Sequence, residues 1–120
     1  MFDLRFFRDK KGRVPVLEAL DSLPELAQAK GYVCIEQLAE KENQLKRPTS
    51  DYLRDGIYEL RWRVVKVQYR LLYGFAGKGV IFLSHIITKE NEVPVKEIDR
   101  CIANKCLFEQ DPEKYSYSEG

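Results

Sequence analysis

The chain has one histidine, 3 cysteines and a single methionine in 120 residues, and each scarcity excludes something. One histidine and three thiols without CxxC spacing leave too few soft ligands for a zinc site, so no metal is expected. The odd cysteine set, Cys34, Cys101 and Cys106, also argues against a disulfide scaffold and reads as small buried hydrophobes. Long apolar runs are missing: Val80 to Leu83 stops at Ser84 and His85, far short of the roughly 18 residues that cross a bilayer. Charge of one sign is missing too. With 20 Lys and Arg against 19 Asp and Glu the net charge is +1, so no global field imposes a nucleic-acid partner. The start, Met1-Phe2-Asp3-Leu4-Arg5, alternates charged and apolar residues and lacks a signal-peptide layout, which makes the cytoplasm the expected compartment.

What is present is a globular balance, 44% hydrophobic and 32% charged, in a length that suits one domain. The charge is unevenly placed. Residues 54–73 carry Arg54, Arg61, Arg63, Lys66 and Arg70 against Asp55 and Glu59, whereas residues 107–120 carry Glu109, Asp111, Glu113 and Glu119 against Lys114. A basic centre and an acidic tail average to neutrality and leave room for a local polyanion site.

Periodicity gives the order of elements. Phe2, Leu4 and Phe6 alternate with Asp3 and Arg5, a short strand. Pro15 opens a helix with Leu17, Leu20 and Leu23 that runs to Pro24. A second helix is expected from Glu25 to about Asn43, with Leu26, Ala29, Val33, Cys34, Leu38 and Ala39, and Ile35 beside them, as its apolar stripe. Three strands follow at Ile57–Val64, Lys66–Phe75 and Val80–Thr88, rich in β-branched and aromatic residues. A tight turn or bulge is expected near Val65-Lys66, and a glycine-rich hairpin at Gly74–Gly79. Pro94 opens a last helix with Val95, Ile98 and Ile102 on one side. The expected fold class is therefore α+β, β-α-α-β-β-β-α, with two N-terminal helices packed on an antiparallel sheet, a C-terminal helix, and the other sheet face open. Residues 1–107 form the domain in this reading, and residues 108–120 a polar, flexible tail.

Strand parity places the charge. If Tyr58, Leu60, Trp62 and Val64, and then Val65, Val67, Tyr69 and Leu71, face the helices, then Arg61, Arg63, Lys66, Gln68 and Arg70 gather on the opposite face. Uninterrupted alternation puts His85 and Lys89 on the side of Leu83 and Ile87; whether that side carries the arginines depends on the register. The cluster has two readings. One is a solvated face paired across strands with residues such as Glu59. The other is a phosphate-recognising surface, because guanidinium forks match phosphate oxygens in pairs.

Gly56-Ile57-Tyr58-Glu59-Leu60-Arg61, followed by Tyr69-Arg70-Leu71-Leu72-Tyr73, Ile81-Phe82-Leu83-Ser84-His85 and Pro94-Val95-Lys96-Glu97-Ile98, resembles the phage-related HigB-like branch of the RelE/ParE superfamily. The resemblance covers residues 2–107 and also takes in the segment from Pro15 to Pro24. It implies the toxin of a type II toxin–antitoxin module, a metal-independent endoribonuclease that cuts messenger RNA on the ribosome. The implied chemistry is attack of a ribose 2′-hydroxyl on the adjacent phosphate, leaving a 2′,3′-cyclic phosphate and a 5′-hydroxyl. By the same resemblance Arg70 stabilises the phosphate, Lys89 serves the leaving group or holds the phosphate, and Arg61 adds a phosphate contact. His85 is a base or acid by its ordinary pKa, or else a strand-end histidine satisfied by backbone. Tyr73 stacks on a base or lies in the core, the side its parity with Arg70 favours. Arg63, Lys66, Lys46 and Arg47 are further RNA contacts, with a solvated helix terminus explaining the last two equally well. No cofactor is expected; the implied partners are the ribosome, mRNA and a cognate antitoxin carrying a helix-turn-helix domain. In one place the sequence departs from these relatives, which carry two or three lysines in the loop before the last proline. Here Thr88-Lys89-Glu90-Asn91-Glu92-Val93 holds one lysine and two acids. Two alternatives stay open: a ParE-like toxin that binds gyrase through protein contacts, and, supported by the acidic loop, an attenuated family member that serves as an antitoxin-binding partner.

Overall fold

In the computed structural model, which describes residues 2–41, 49–89 and 91–119, the alternating start forms strand β1 (Asp3–Phe7). Helix α1 (Pro15–Ser22) begins on its proline and stops one residue early, because Leu23 precedes Pro24 and takes extended backbone at ψ 153. Helix α2 (Glu25–Lys41) turns Ala27, Gly31, Ile35, Leu38 and Ala39 inward. Three members of the expected stripe point outward instead: Ala29 is exposed, Leu26 is 56% exposed and Val33 52%. The cause is Trp62. Its ring lies so close to α2 that a Cβ on Gly31 would stand 2.8 Å from it, and its indole Nε1 donates to the Ala27 carbonyl at 3.0 Å. Small residues must therefore face the sheet there.

Four hairpin-linked strands follow, β2 (Ser50–Arg54), β3 (Ile57–Val64), β4 (Val67–Phe75) and β5 (Val80–Thr88). The first of them has no clear signature in the sequence. Asp55 (φ 52) and Gly56 (φ 79) form the tight turn into β3. Val65 and Lys66 form the next turn, and Val65 sits at φ 55, a left-handed conformation that strains a β-branched residue. After helix α3 (Val95–Gln110), residues Ser116–Tyr117 add strand β6. The sheet order is β2-β3-β4-β5-β1-β6. The sheet is mixed rather than wholly antiparallel, because β1 runs parallel to β5. Direction alternates through the three hairpins, and β5 comes out aligned with the strand that opened the chain.

Both sheet faces are covered. On one, Val16, Leu20, Ile35 and Leu38 of α1 and α2 pack on Leu60, Trp62, Tyr69, Leu71 and Leu83. On the other, Ile98, Cys101 and Phe108 of α3 cover Ile57, Leu72 and Phe82. The expected open face is thus largely occupied, since three buried apolar side chains on it need a partner. Of the last helix's expected stripe, Ile98 is buried while Val95 is 64% exposed. The acidic C-terminal segment is anchored as well, and the boundary at 107 falls inside α3. Tyr115 stacks on Phe7, β6 pairs with β1, and the Arg8 guanidinium donates to the carbonyls of Glu113 (2.7 Å) and Lys114 (3.1 Å). Of the thiols, Cys101 is buried, Cys34 half-buried and Cys106 exposed. Among the described residues, no helix is long and apolar enough to cross a membrane.

Candidate nucleic-acid interface

A bulge decides which residues meet. Leu72 pairs with His85, but the next residue, Tyr73, pairs with Leu83, so Ser84 is the extra residue and side-chain parity resets there. Leu83 faces α1 and α2, while Ile87, two residues past His85, packs with the α3 cluster. Uninterrupted alternation would have kept Leu83 and His85 on one side; the bulge separates them and brings His85 to the arginine face. Three cross-strand rows result: Glu59, Leu72 and His85; then Arg61, Arg70 and Ile87; then Arg63 and Gln68, with the Lys89 amide donating to the Gln68 carbonyl at 3.2 Å. The first row lies under α3 and the last reaches the Val65-Lys66 turn, beyond the helix.

Arg70 and Glu59 form the centre. Arg70 is 7% exposed and Glu59 3%, and Arg70 Nη1 makes a short charge-assisted bond to Glu59 Oε1. Arg70 Nε donates to the Lys89 carbonyl at 3.0 Å, so the guanidinium is fixed from two sides. Arg61 Nε stands 3.5 Å from the same Glu59 Oε1. Together they line a groove of about 510 Å³ between β2, β3, β4 and the start of α3. Among the described residues, three guanidinium groups, Arg54, Arg61 and Arg70, and three carboxylates, Asp51, Glu59 and Glu92, line it, with Arg54 held by Asp55 at 2.7 Å and Asp99 at 2.5 Å. The groove is near charge balance, as the cross-strand reading of the cluster requires. The adjoining depression differs: Lys66, Gln68, Thr88 and Lys89 line it, and no acidic residue among those described does. Lys89 is exposed and projects there, beside Arg70 rather than against it. Arg63 is exposed one row further on. Gln68 is committed to the hairpin, donating its amide to the Trp62 carbonyl at 3.0 Å. Lys46 and Arg47 lie outside the described residues.

His85 does not reach the groove. It is 1% exposed, and both ring nitrogens are engaged by side chains rather than by backbone. Asn104 Nδ2 donates to Ser84 Oγ at 2.9 Å, Ser84 Oγ lies 2.7 Å from His85 Nδ1, and His85 Nε2 lies 3.0 Å from Glu97 Oε1. Burial, with Arg100 nearby, pushes the imidazole down to about 4, against the pull of Glu97. It is therefore neutral, accepting from Ser84 at Nδ1 and donating to Glu97 from Nε2. The connectivity is that of a serine–histidine–carboxylate relay, but with Ser84 at 0% exposure it ties the bulge to α3 and meets no substrate. Tyr73 belongs to the core face, its hydroxyl 2.6 Å from Ser50 Oγ and its pKa raised by burial to about 12.

Sequence reasoning missed Ser84, Glu97 and Asn104; the available signal was Glu97 in the first turn after Pro94, spaced to reach back to the strand end. The family model for the phage derived protein Gp49-like (DUF891) matches residues 18–105. The chain belongs to that family. The Gp49-like family is a RelE-like toxin family, and its match runs from within α1 into α3. Glu59, Arg61, Arg70, His85, Lys89 and Glu97 all fall inside it, so both the groove and the buried relay lie within the Gp49-like region. No curated protein matches the chain.

Proposed function

We propose that the chain is the cytoplasmic toxin of a type II toxin–antitoxin module and that it cleaves RNA through its own cations, without a metal. The observation that supports this reading is the convergence of Arg61 and Arg70 on one groove, with the Lys89 carbonyl bonded to Arg70 and the Lys89 side chain lining the depression beside it. A scissile phosphodiester in the groove meets Arg70 already oriented by Glu59 and the Lys89 carbonyl, so little is lost in ordering it. Arg61 and Arg70 balance the charge that builds on the non-bridging oxygens. The ribose 2′-oxygen attacks phosphorus and its proton passes to a carboxylate, for which Glu59, between the two guanidinium groups, is the candidate. The P–O5′ bond breaks, and the Lys89 ammonium protonates the departing oxygen. His85 acts here as a positioning residue that holds α3 over the groove. The partners in this reading are the ribosome and its mRNA, and an antitoxin whose helix-turn-helix domain is implied by the HigB-like resemblance.

The charge balance of the groove favours a second reading, an attenuated toxin whose main task is to hold its antitoxin. Induced expression and a cleavage assay separate the two. Purified protein added to translating ribosomes should yield mRNA fragments ending in 2′,3′-cyclic phosphate. Lys89→Ala keeps the carbonyl that orients Arg70 and removes only the ammonium, so cleavage and growth arrest should fall at least tenfold with the fold intact. Arg61→Ala should do likewise. Arg70→Ala should abolish both, but it also leaves Glu59 buried without its main partner, at a stability cost of about 3–5 kcal/mol, so the first two variants carry the test. Wild-type protein that neither arrests growth nor cuts mRNA would leave the attenuated reading standing.

A further inference from the structure

Arg61 has two sides. One faces the groove; the other lines a second depression of about 440 Å³. Its walls include Lys30 and Gln37 beside the less polar Val33 and Cys34 on the outer side of α2, Thr49 just before β2, and Arg61, Trp62 and Arg63 from β3. Trp62 is 6% exposed and its indole is bonded to the Ala27 carbonyl, so it forms a rigid floor and offers no face for a base to stack on. Lys30 lines the depression one helical turn from Cys34, on the same wall of α2. Among the described residues that line it, three are cationic and none is acidic, in contrast to the balanced groove next door.

We infer that this depression holds the phosphate next to the scissile one on a single RNA strand, with Lys30, Arg61 and Arg63 as its cations. The inference rests on the groove being the RNA site. Two sites that share Arg61 form a continuous track around the end of β2, which suits a linear polyanion better than an isolated small anion. With the indole ring buried, the contact is to the backbone and is indifferent to base identity. The depression therefore supplies affinity and register, while the groove supplies chemistry.

Lys30 is exposed on a helix, and alanine is the better helix former, so Lys30→Ala should fold normally. Binding of 2′-deoxy-blocked, uncleavable oligonucleotides, followed by fluorescence anisotropy across a salt series, tests the site. For a hexanucleotide, Lys30→Ala should weaken binding about threefold to tenfold and lower the salt slope by about 0.7, one phosphate contact on a single strand. For a dinucleotide, which fills only the groove, affinity should not change. Arg63→Ala should show the same split. Unchanged hexanucleotide affinity and slope in Lys30→Ala, alongside normal wild-type binding, would overturn the subsite and leave the groove untouched. Absence of binding by the wild-type protein would overturn both.

Discussion

A buried carboxylate between two guanidinium groups can serve a site in opposite ways. Glu59 orients Arg70, and it also cancels charge that a phosphate would otherwise meet. Glu59→Gln distinguishes the roles, because the amide oxygen still accepts from Arg70 while the negative charge and the proton acceptor are gone. If Glu59 takes the 2′-proton, cleavage should fall about 10²-fold, the lower end of what a positioned base contributes. Growth arrest should weaken in parallel, with the thermal midpoint measured as a control for folding. A faster rate in Glu59→Gln would instead identify Glu59 as a brake and favour the attenuated reading. Parity around Tyr58-Glu59-Leu60-Arg61 and Tyr69-Arg70 made Arg61 and Arg70 legible as neighbours from the sequence. The depth of Arg70 was not legible, since it depends on the cover that the start of α3 provides. His85 illustrates the same limit: its ordinary pKa and strand-end position suggest a proton carrier, and only the placement of Glu97, Arg100 and Asn104 on α3 turns it into a neutral strut.

At the scale of elements, the strands β3, β4 and β5 were readable because β-branched and aromatic residues dominate them and short turns separate them. Strand β2 was not: Ser50-Asp51-Tyr52-Leu53-Arg54 is polar, close behind a proline, and is a strand because β3 offers it a free edge. Nor was the bulge at Ser84, since Ile81-Phe82-Leu83-Ser84-His85 contains no glycine or proline to mark a break. The parallel pairing of β1 with β5 is a long-range outcome that local pattern does not encode. Helix α2 shows how tertiary packing overrides an apolar stripe. Its register is set by Trp62 against Gly31, leaving Leu26 and Val33 in solvent. Gly31→Ala should therefore destabilise the fold, by about 1–3 kcal/mol, despite alanine's higher helix propensity, because the new methyl meets the indole. Urea denaturation would show a lower midpoint; a higher one would mean that α2 shifts away from the sheet at no cost.

At the scale of the whole molecule, α3 closes the second sheet face, and the buried relay from Asn104 through Ser84 and His85 to Glu97 is its polar fastening. That fastening has a pH dependence whose sign follows from the imidazole. In the unfolded chain His85 titrates near its ordinary value of about 6.5, whereas in the fold burial and Arg100 hold it down at about 4, only partly offset by Glu97. Between those values the unfolded chain binds more protons than the folded one, so stability falls as pH drops from about 6.5 towards 4 and levels off below. The slope is about 1.4 kcal/mol per pH unit, which amounts to a loss of about 2 kcal/mol between pH 7 and pH 5. His85→Gln can still donate to Glu97 but cannot titrate. It should be less stable than the wild type at pH 7, from imperfect packing under α3, yet lose much less between pH 7 and pH 5. Urea midpoints of the two proteins at both pH values make the comparison. Equal losses would mean that His85 titrates alike in the folded and unfolded chains, and the pH dependence of the fold would then arise elsewhere.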